Sequence, residues 1–204
     1  MTILITDGRY ILADKVITLS VDDRLMGKRV RSRTTIDDNK CKILRVTGSD
    51  YYTFFAGSGN SEHLGMIYEM LNRGLSINDT LNALSVVKSE VYVGGILFSK
   101  EQGMLQFEMD DDNGLVVYSV HGPGIVAVGS GASRISTMTK LVRDGETLAA
   151  LEAMVLLQHT DPREFGLMYL SYADTVTGEL RDLVKINKRQ RELMLPKIKA
   201  KLLI

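Results

Sequence analysis

Apolar and polar positions along the first eighteen residues predict two strands and a turn. Residues 2 to 6 and 9 to 18 are rich in Ile, Leu, Val, Thr and Tyr, and the dipeptide Asp7-Gly8 between them has the chemistry of a tight hairpin. Such a pairing brings Thr2 and Asp14 near each other across a sheet. From 20 to 40 the period is lost in the charged run SVDDRLMGKRVRSRTTIDDNK, which reads as a surface loop before CKILRV and YYTFFAG resume strands. After Gly57, Ser58 and Gly59 the spacing becomes helical: Leu64, Ile67, Met70 and Leu71 share one face of NSEHLGMIYEMLNRG, and Gly74 is its stop. Ser76 and Asp79 have the spacing of an N-terminal cap for a second helix, INDTLNALSVVKSE.

Four more strand-like segments follow, VYVGGILFS, MLQFEM, LVVYSVH and IVAVGSG, with turns at Asp112-Asn113-Gly114 and Gly122-Pro123-Gly124. Together they are expected to form a second antiparallel sheet. Helical spacing returns in SRISTMTKLVR and TLAALEAMVLLQH, GLMYLSYAD and LRDLVKI read as closing strands, and KRQRELMLPKIKAKLLI reads as a basic, partly helical end. Two groups of strands, each followed by a pair of helices, predict a four-layer αββα sandwich: two antiparallel sheets face to face with helices outside.

Composition narrows the class. At 204 residues and 45% hydrophobic content the chain suits one domain over 1–204, with a basic C-terminal extension from about residue 185. The 25 basic residues balance the 25 acidic ones, so no overall field favours nucleic acid or a membrane surface. No apolar run approaches the roughly 20 residues of a membrane helix, and no basic region followed by an apolar stretch opens the chain. A single cysteine, Cys41, excludes an internal disulfide and reads as a small core residue. A cytoplasmic protein is expected. His63, His121 and His159 lack ligand spacing, and MDDDNG at 109 to 114 lacks the glutamate that completes a calcium loop, so no metal is expected. Phosphate-loop and dinucleotide motifs are absent from the sequence, which predicts no cofactor.

Several residues then line up in a telling order. Thr2 opens the chain behind Met1, Asp14 ends the second strand, Lys42 opens the next one in KCKILRV, and FAGSGNSEHL carries Gly57 into the first helix. Ser130 lies in IVAVGSGASRI and Asp161 in HTDPREFGLMYL. This series, over roughly residues 1 to 180, resembles the proteasome β-subunit family and its bacterial relatives among the N-terminal nucleophile hydrolases. The resemblance implies the αββα sandwich and a threonine peptidase or amidase. It also implies a polypeptide substrate, a homo-oligomeric ring that secludes the sites, and a separate unfolding ATPase as partner.

A threonine hydroxyl is a weak nucleophile at neutral pH and needs a base within reach. A free α-amine, with an ordinary pKa near 8, sits on the same residue once nothing precedes it. In the roles that the resemblance implies, Thr2 attacks, Lys42 lowers the pKa values of its hydroxyl and amine, and Asp14 orients Lys42. Gly57 offers its backbone N–H to the oxyanion, while Ser130 and Asp161 hold the amine and its water.

Each residue also has a plain structural reading: Asp14 and Lys15 as a solvated pair, Lys42 as an edge-strand lysine, Gly57 as a turn, Ser130 as a helix N-cap. Two features depart from the family pattern. Glu164 stands where catalytic relatives often carry a serine, and counting back from Gly8 sets Met1 opposite the family's first threonine unless the first hairpin is shorter. A catalytically inactive proteasome-like subunit, serving as an assembly or binding scaffold, is therefore the competing function, and an acylase-type hydrolase a third.

Overall fold

The computed structural model describes residues 2–19, 33–36, 42–85, 92–110, 114–121, 124–166 and 169–203. Twelve strands and six helices are present among them. Strands β1 (Leu4–Thr6), β2 (Tyr10–Asp14), β10 (Val126–Val128), β11 (Tyr169–Asp174) and β12 (Glu179–Lys185) form one antiparallel sheet in the order β10-β1-β2-β11-β12. Strands β5 (Ile43–Arg45), β6 (Tyr52–Gly59), β7 (Val93–Ser99), β8 (Gly103–Asp110) and β9 (Gly114–Ser119) form the other, in chain order.

Neighbouring apolar residues explain how four layers arise. On β6, Phe55 packs with a helix-side cluster while Phe54 and Ala56 face the cluster between the sheets. The pairs Leu97 and Ile96 on β7, and Leu105 and Met104 on β8, divide the same way. Ile5 and Leu12 in the other sheet turn to its helices, and Leu4, Ile11 and Ala13 turn inward. Successive side chains of a strand point to opposite faces, so a strand with both faces apolar must be covered on both. Each Phe, Leu, Ile or Met side chain among them contributes about 1.5–3 kcal/mol when fully buried.

Helices α1 (Ser61–Asn72) and α2 (Ile77–Ser85) cover the β5–β9 sheet through Ile67, Leu71, Ile77, Leu81 and Leu84. Asn60 caps α1 by accepting from the Glu62 and His63 N–H groups, and Gly74, at φ 87°, follows its end. Ser76 Oγ accepts from Asp79 N–H at 3.1 Å and donates to its carboxylate, the capping arrangement that the spacing predicts. Helices α3 (Ala132–Lys140), α4 (Ala150–Thr160), the short α5 (Pro162–Phe165) and α6 (Lys188–Ala200) lie on the other sheet, with Ile135, Met154, Phe165 and Ile198 in its core. The αββα sandwich is as the sequence implies.

Four details differ from the sequence-based expectation, the first being that CKILRV and YYTFFAG, grouped with the opening strands, give β5 and β6 of the other sheet, with β6 beside β7. The segment IVAVGSG does not join the second sheet: β10 pairs with β1, Leu4 opposite Val128, and so brings the Gly129–Gly131 turn beside the N-terminus. The charged run from 20 to 40 is not all loop, because β4 (Arg33–Ile36) pairs with β3 (Val16–Leu19) as a separate hairpin. The long second strand is interrupted at Lys15, which splits it into β2 and β3. Cys41 and the turn residues Asp112, Asn113, Gly122 and Pro123 lie outside the described residues. Among the described residues no helix is long and apolar enough to cross a membrane.

Candidate active site at the N-terminal strand

The first hairpin turns over residues 7–10 rather than over Asp7-Gly8 alone, with Thr6 opposite Ile11 and Leu4 opposite Ala13. That register carries Ile3 to Asp14, where Asp14 N–H donates to the Ile3 carbonyl at 3.2 Å and the Asp14 carboxylate accepts from Ile3 N–H at 2.8 Å. The same carboxylate oxygen, Oδ1, accepts from Lys42 Nζ at 2.8 Å. Thr2, half-buried, is thus fixed one residue beyond a main chain locked onto Asp14, with the Lys42 ammonium no more than two hydrogen-bond lengths from Ile3 N.

Asp14 and Lys42 are a buried pair, with side-chain exposures of 0% and 10%. Burial pulls the Lys42 ammonium below the ordinary lysine range; the Asp14 charge and hydrogen bond oppose this, and Lys15 adds to the lowering. Lys15 is itself buried and donates to Asp182 Oδ1 on β12 at 3.1 Å. Ser171 on β11 donates to the Asp182 carbonyl at 2.8 Å, where the β11–β12 register shifts between Leu170 and Tyr172. Such irregularities re-aim side chains. Asp14 and Lys15 are therefore not a solvated pair: each is buried and bound to a partner from another strand or strand entry.

On the other side of Thr2 lies the turn after β10. Thr2 N–H donates to Ser130 Oγ at 3.1 Å, and Ser130 Oγ–H is 3.3 Å from the Thr2 carbonyl. Ser130 is not the cap of α3; Gly131 holds that position and gives no side-chain bond. Gly129 makes the approach possible. Its φ of +98° suits glycine, and a Cβ there would sit 2.4 Å from the Thr2 carbonyl oxygen and 2.7 Å from Ser58 Oγ.

Gly57 reaches the same region by another route. Its N–H donates to the Lys42 carbonyl at 3.3 Å, a long bond that closes the β5–β6 ladder, and a Cβ would meet Leu64 Cδ2 at 2.5 Å. Asp161, between α4 and α5, is ion-paired with Arg134 of α3, and Arg134 also holds Glu164 at 2.8 Å. No hydrogen bond joins Asp161 to Thr2 or Ser130 among the described residues. Direct bonds therefore join Asp14 to Lys42 and Thr2 to Ser130, and the two pairs meet through Ile3, whose N–H Asp14 accepts. Gly57 joins through Lys42, whereas Asp161, expected at the amine, pairs with Arg134 and bonds neither Thr2 nor Ser130.

No family model and no curated protein matches the chain by sequence. Its fold does match solved structures. Anbu from Hyphomicrobium sp. strain MC1 aligns with a TM-score of 0.57 at 12% identity, covering 98% of this chain and 93% of that one. A Gly-1 mutant of Anbu from the same strain gives 0.59 at 13% identity, with 98% and 96% covered. The fold is proteasome-like. At such identities the likeness concerns shape, and the chemistry must be argued from the residues in place.

Arg134, Lys15, Asp182 and Ser58 lie around this site without a signal in the sequence that places them there. Arg134 looks like any helix-surface arginine, and the partners of Lys15 and Ser58 are set by pairings distant along the chain. The adjacent acid and base of Asp14-Lys15 were the one local signal.

Proposed function

We propose that the protein is an N-terminal threonine hydrolase of the proteasome-like type, cleaving peptide or related amide bonds in a polypeptide substrate. The observation that carries this is the double anchoring of the N-terminal strand: Asp14 Oδ1 accepts from both Ile3 N–H and Lys42 Nζ, while Thr2 N lies 3.1 Å from Ser130 Oγ. Excision of Met1 would leave an α-amine at the position now held by the Thr2 amide. The amine takes the hydroxyl proton as Oγ1 attacks the substrate carbonyl, and later gives it to the leaving amine; water then hydrolyses the ester and restores the hydroxyl. Lys42, whose charged form Asp14 favours against burial, stabilises the alkoxide developing nearby. The Gly57 N–H serves the oxyanion, because a charged acceptor outcompetes the long bond to the Lys42 carbonyl.

The reading extends to a homo-oligomeric ring in the cytoplasm that secludes these sites, with unfolding supplied by a separate ATPase. Hydrolysis of fluorogenic peptides by the wild type, Thr2→Ala and Lys42→Met tests the chemistry. Turnover is expected in the wild type alone, with both variants folded; equal turnover by Thr2→Ala would end the proposal.

A scaffold function is the second reading, favoured by two observations. The Gly57 N–H is already engaged, and Glu164 fills the place of a serine with a carboxylate held by Arg134. Folded, assembled protein with no turnover and an unreactive Thr2 is what it predicts.

A further inference from the structure

Glu164 and Asp161 belong to a clamp that the proposed chemistry does not use directly. Arg134 lies on the first turn of α3, three residues past Gly131, and its N–H donates to the Gly131 carbonyl at 3.1 Å. Its guanidinium reaches across to the α4–α5 corner, pairing with Asp161 through Nη1 and with Glu164 through Nη2, the latter a charge contact at 2.8 Å outside hydrogen-bond geometry. It also lies 5.5 Å from the centre of the Phe165 ring. Phe165 is fully buried, and a Cβ on Gly131 would sit 2.8 Å from its ring and 3.1 Å from Ile3 Cδ1. One side chain thus ties the corner to the start of α3, and the corner's aromatic ring closes on Gly131, which also adjoins Ile3, the residue after Thr2.

We propose that Arg134 is a positioning residue for the N-terminal nucleophile, with Asp161 and Glu164 as the two arms that hold it, and that the clamp sets Ser130 Oγ against Thr2 N. This rests on the hydrolase reading above for its kinetic consequence, though the structural coupling stands apart from it. A guanidinium presents several donors in a fixed plane, so it can bridge two carboxylates that a lysine ammonium would hold less rigidly. The glutamate at 164 is then not a lost polar residue but the second anchor of a different support. Small displacements of a reacting group are costly, on the order of a hundredfold in rate for about 1 Å.

Arg134→Ala, Glu164→Gln and the charge exchange Arg134→Glu with Glu164→Arg, made together with Asp161→Asn so that the new carboxylate meets no like charge, test the clamp. In Arg134→Ala, kcat on a fluorogenic peptide falls about tenfold to a hundredfold with KM little changed, and amides of 129 to 134 exchange faster with deuterium. Glu164→Gln gives a smaller loss, and the exchanged pair regains a large part of kcat and of the protection. An Arg134→Ala protein that melts at lower temperature yet keeps wild-type kcat and wild-type exchange at 129 to 134 would overturn the proposal. Should the wild type show no turnover, the hydrolase reading fails by itself. The exchange comparison then decides the clamp: faster exchange in Arg134→Ala, reversed in the exchanged pair, supports it, and unchanged exchange refutes it.

Discussion

Asp14 is the residue on which the site turns, because one carboxylate oxygen holds the main chain at Ile3 and the ammonium of Lys42 together. Removing one partner of a buried pair leaves the other charge uncompensated, so Lys42→Met is expected to cost about 3 kcal/mol in urea denaturation. The double variant Asp14→Leu with Lys42→Met should recover part of that stability and none of the activity, since it removes both charges but leaves the buried Ile3 N–H without its acceptor. A second carboxylate gives a pH signature far from the site. Arg9 donates to Asp174, through Nη2 at 2.9 Å, and together with the Val176 and Thr177 N–H groups holds its carboxyl down at about 2 from 3.8. A depressed folded pKa means the contribution is complete above 3.8 and lost as pH falls toward about 2. Urea midpoints across that window should fall less steeply in Arg9→Ala than in the wild type, and equal slopes would show that the pair does not titrate as described.

Strands and helices place these residues through pairings that the sequence only partly discloses. The layers were legible, because adjacent apolar residues such as Phe54 and Phe55 demand cover on both faces, and helical spacing at Ile67 and Leu71 shows where some of it comes from. Sheet membership was not. The pattern in IVAV fits either sheet equally, and only the long-range pairing of β10 with β1 brings Ser130 to Thr2. Likewise a four-residue strand at Arg33–Ile36 vanishes among flanking charges. The glycine at 129 is the element-scale test: Gly129→Ala adds strain at φ +98° and a Cβ against the Thr2 carbonyl. It should cost about 1–3 kcal/mol and lower the reactivity of Thr2, measured by denaturation and by probe labelling. Gly57→Ala meets only the flexible end of Leu64, so pairing it with Leu64→Ala should restore much of its lost stability.

At the scale of the whole molecule, two helix layers enclose two sheets, and the basic C-terminal segment is part of one layer. Ile198 and Leu202 are fully buried, and Arg191 of α6 donates to Gln158 of α4 at 2.9 Å. Gln158 in turn donates to the carbonyls of Phe165 and Tyr169, which brace the corner carrying Asp161 and Glu164. The site is therefore supported from both ends of the chain, which explains why its residues could be ordered along the sequence while their supports could not. The central claim is that Thr2 carries both nucleophile and base, and the most direct test is the intact mass before and after incubation with an epoxyketone, a probe that needs a free α-amine and its neighbouring hydroxyl. A mass lacking methionine that gains one probe, with the gain lost in Thr2→Ala, is the predicted result. Methionine retained and no adduct formed would contradict it and leave a proteasome-shaped scaffold.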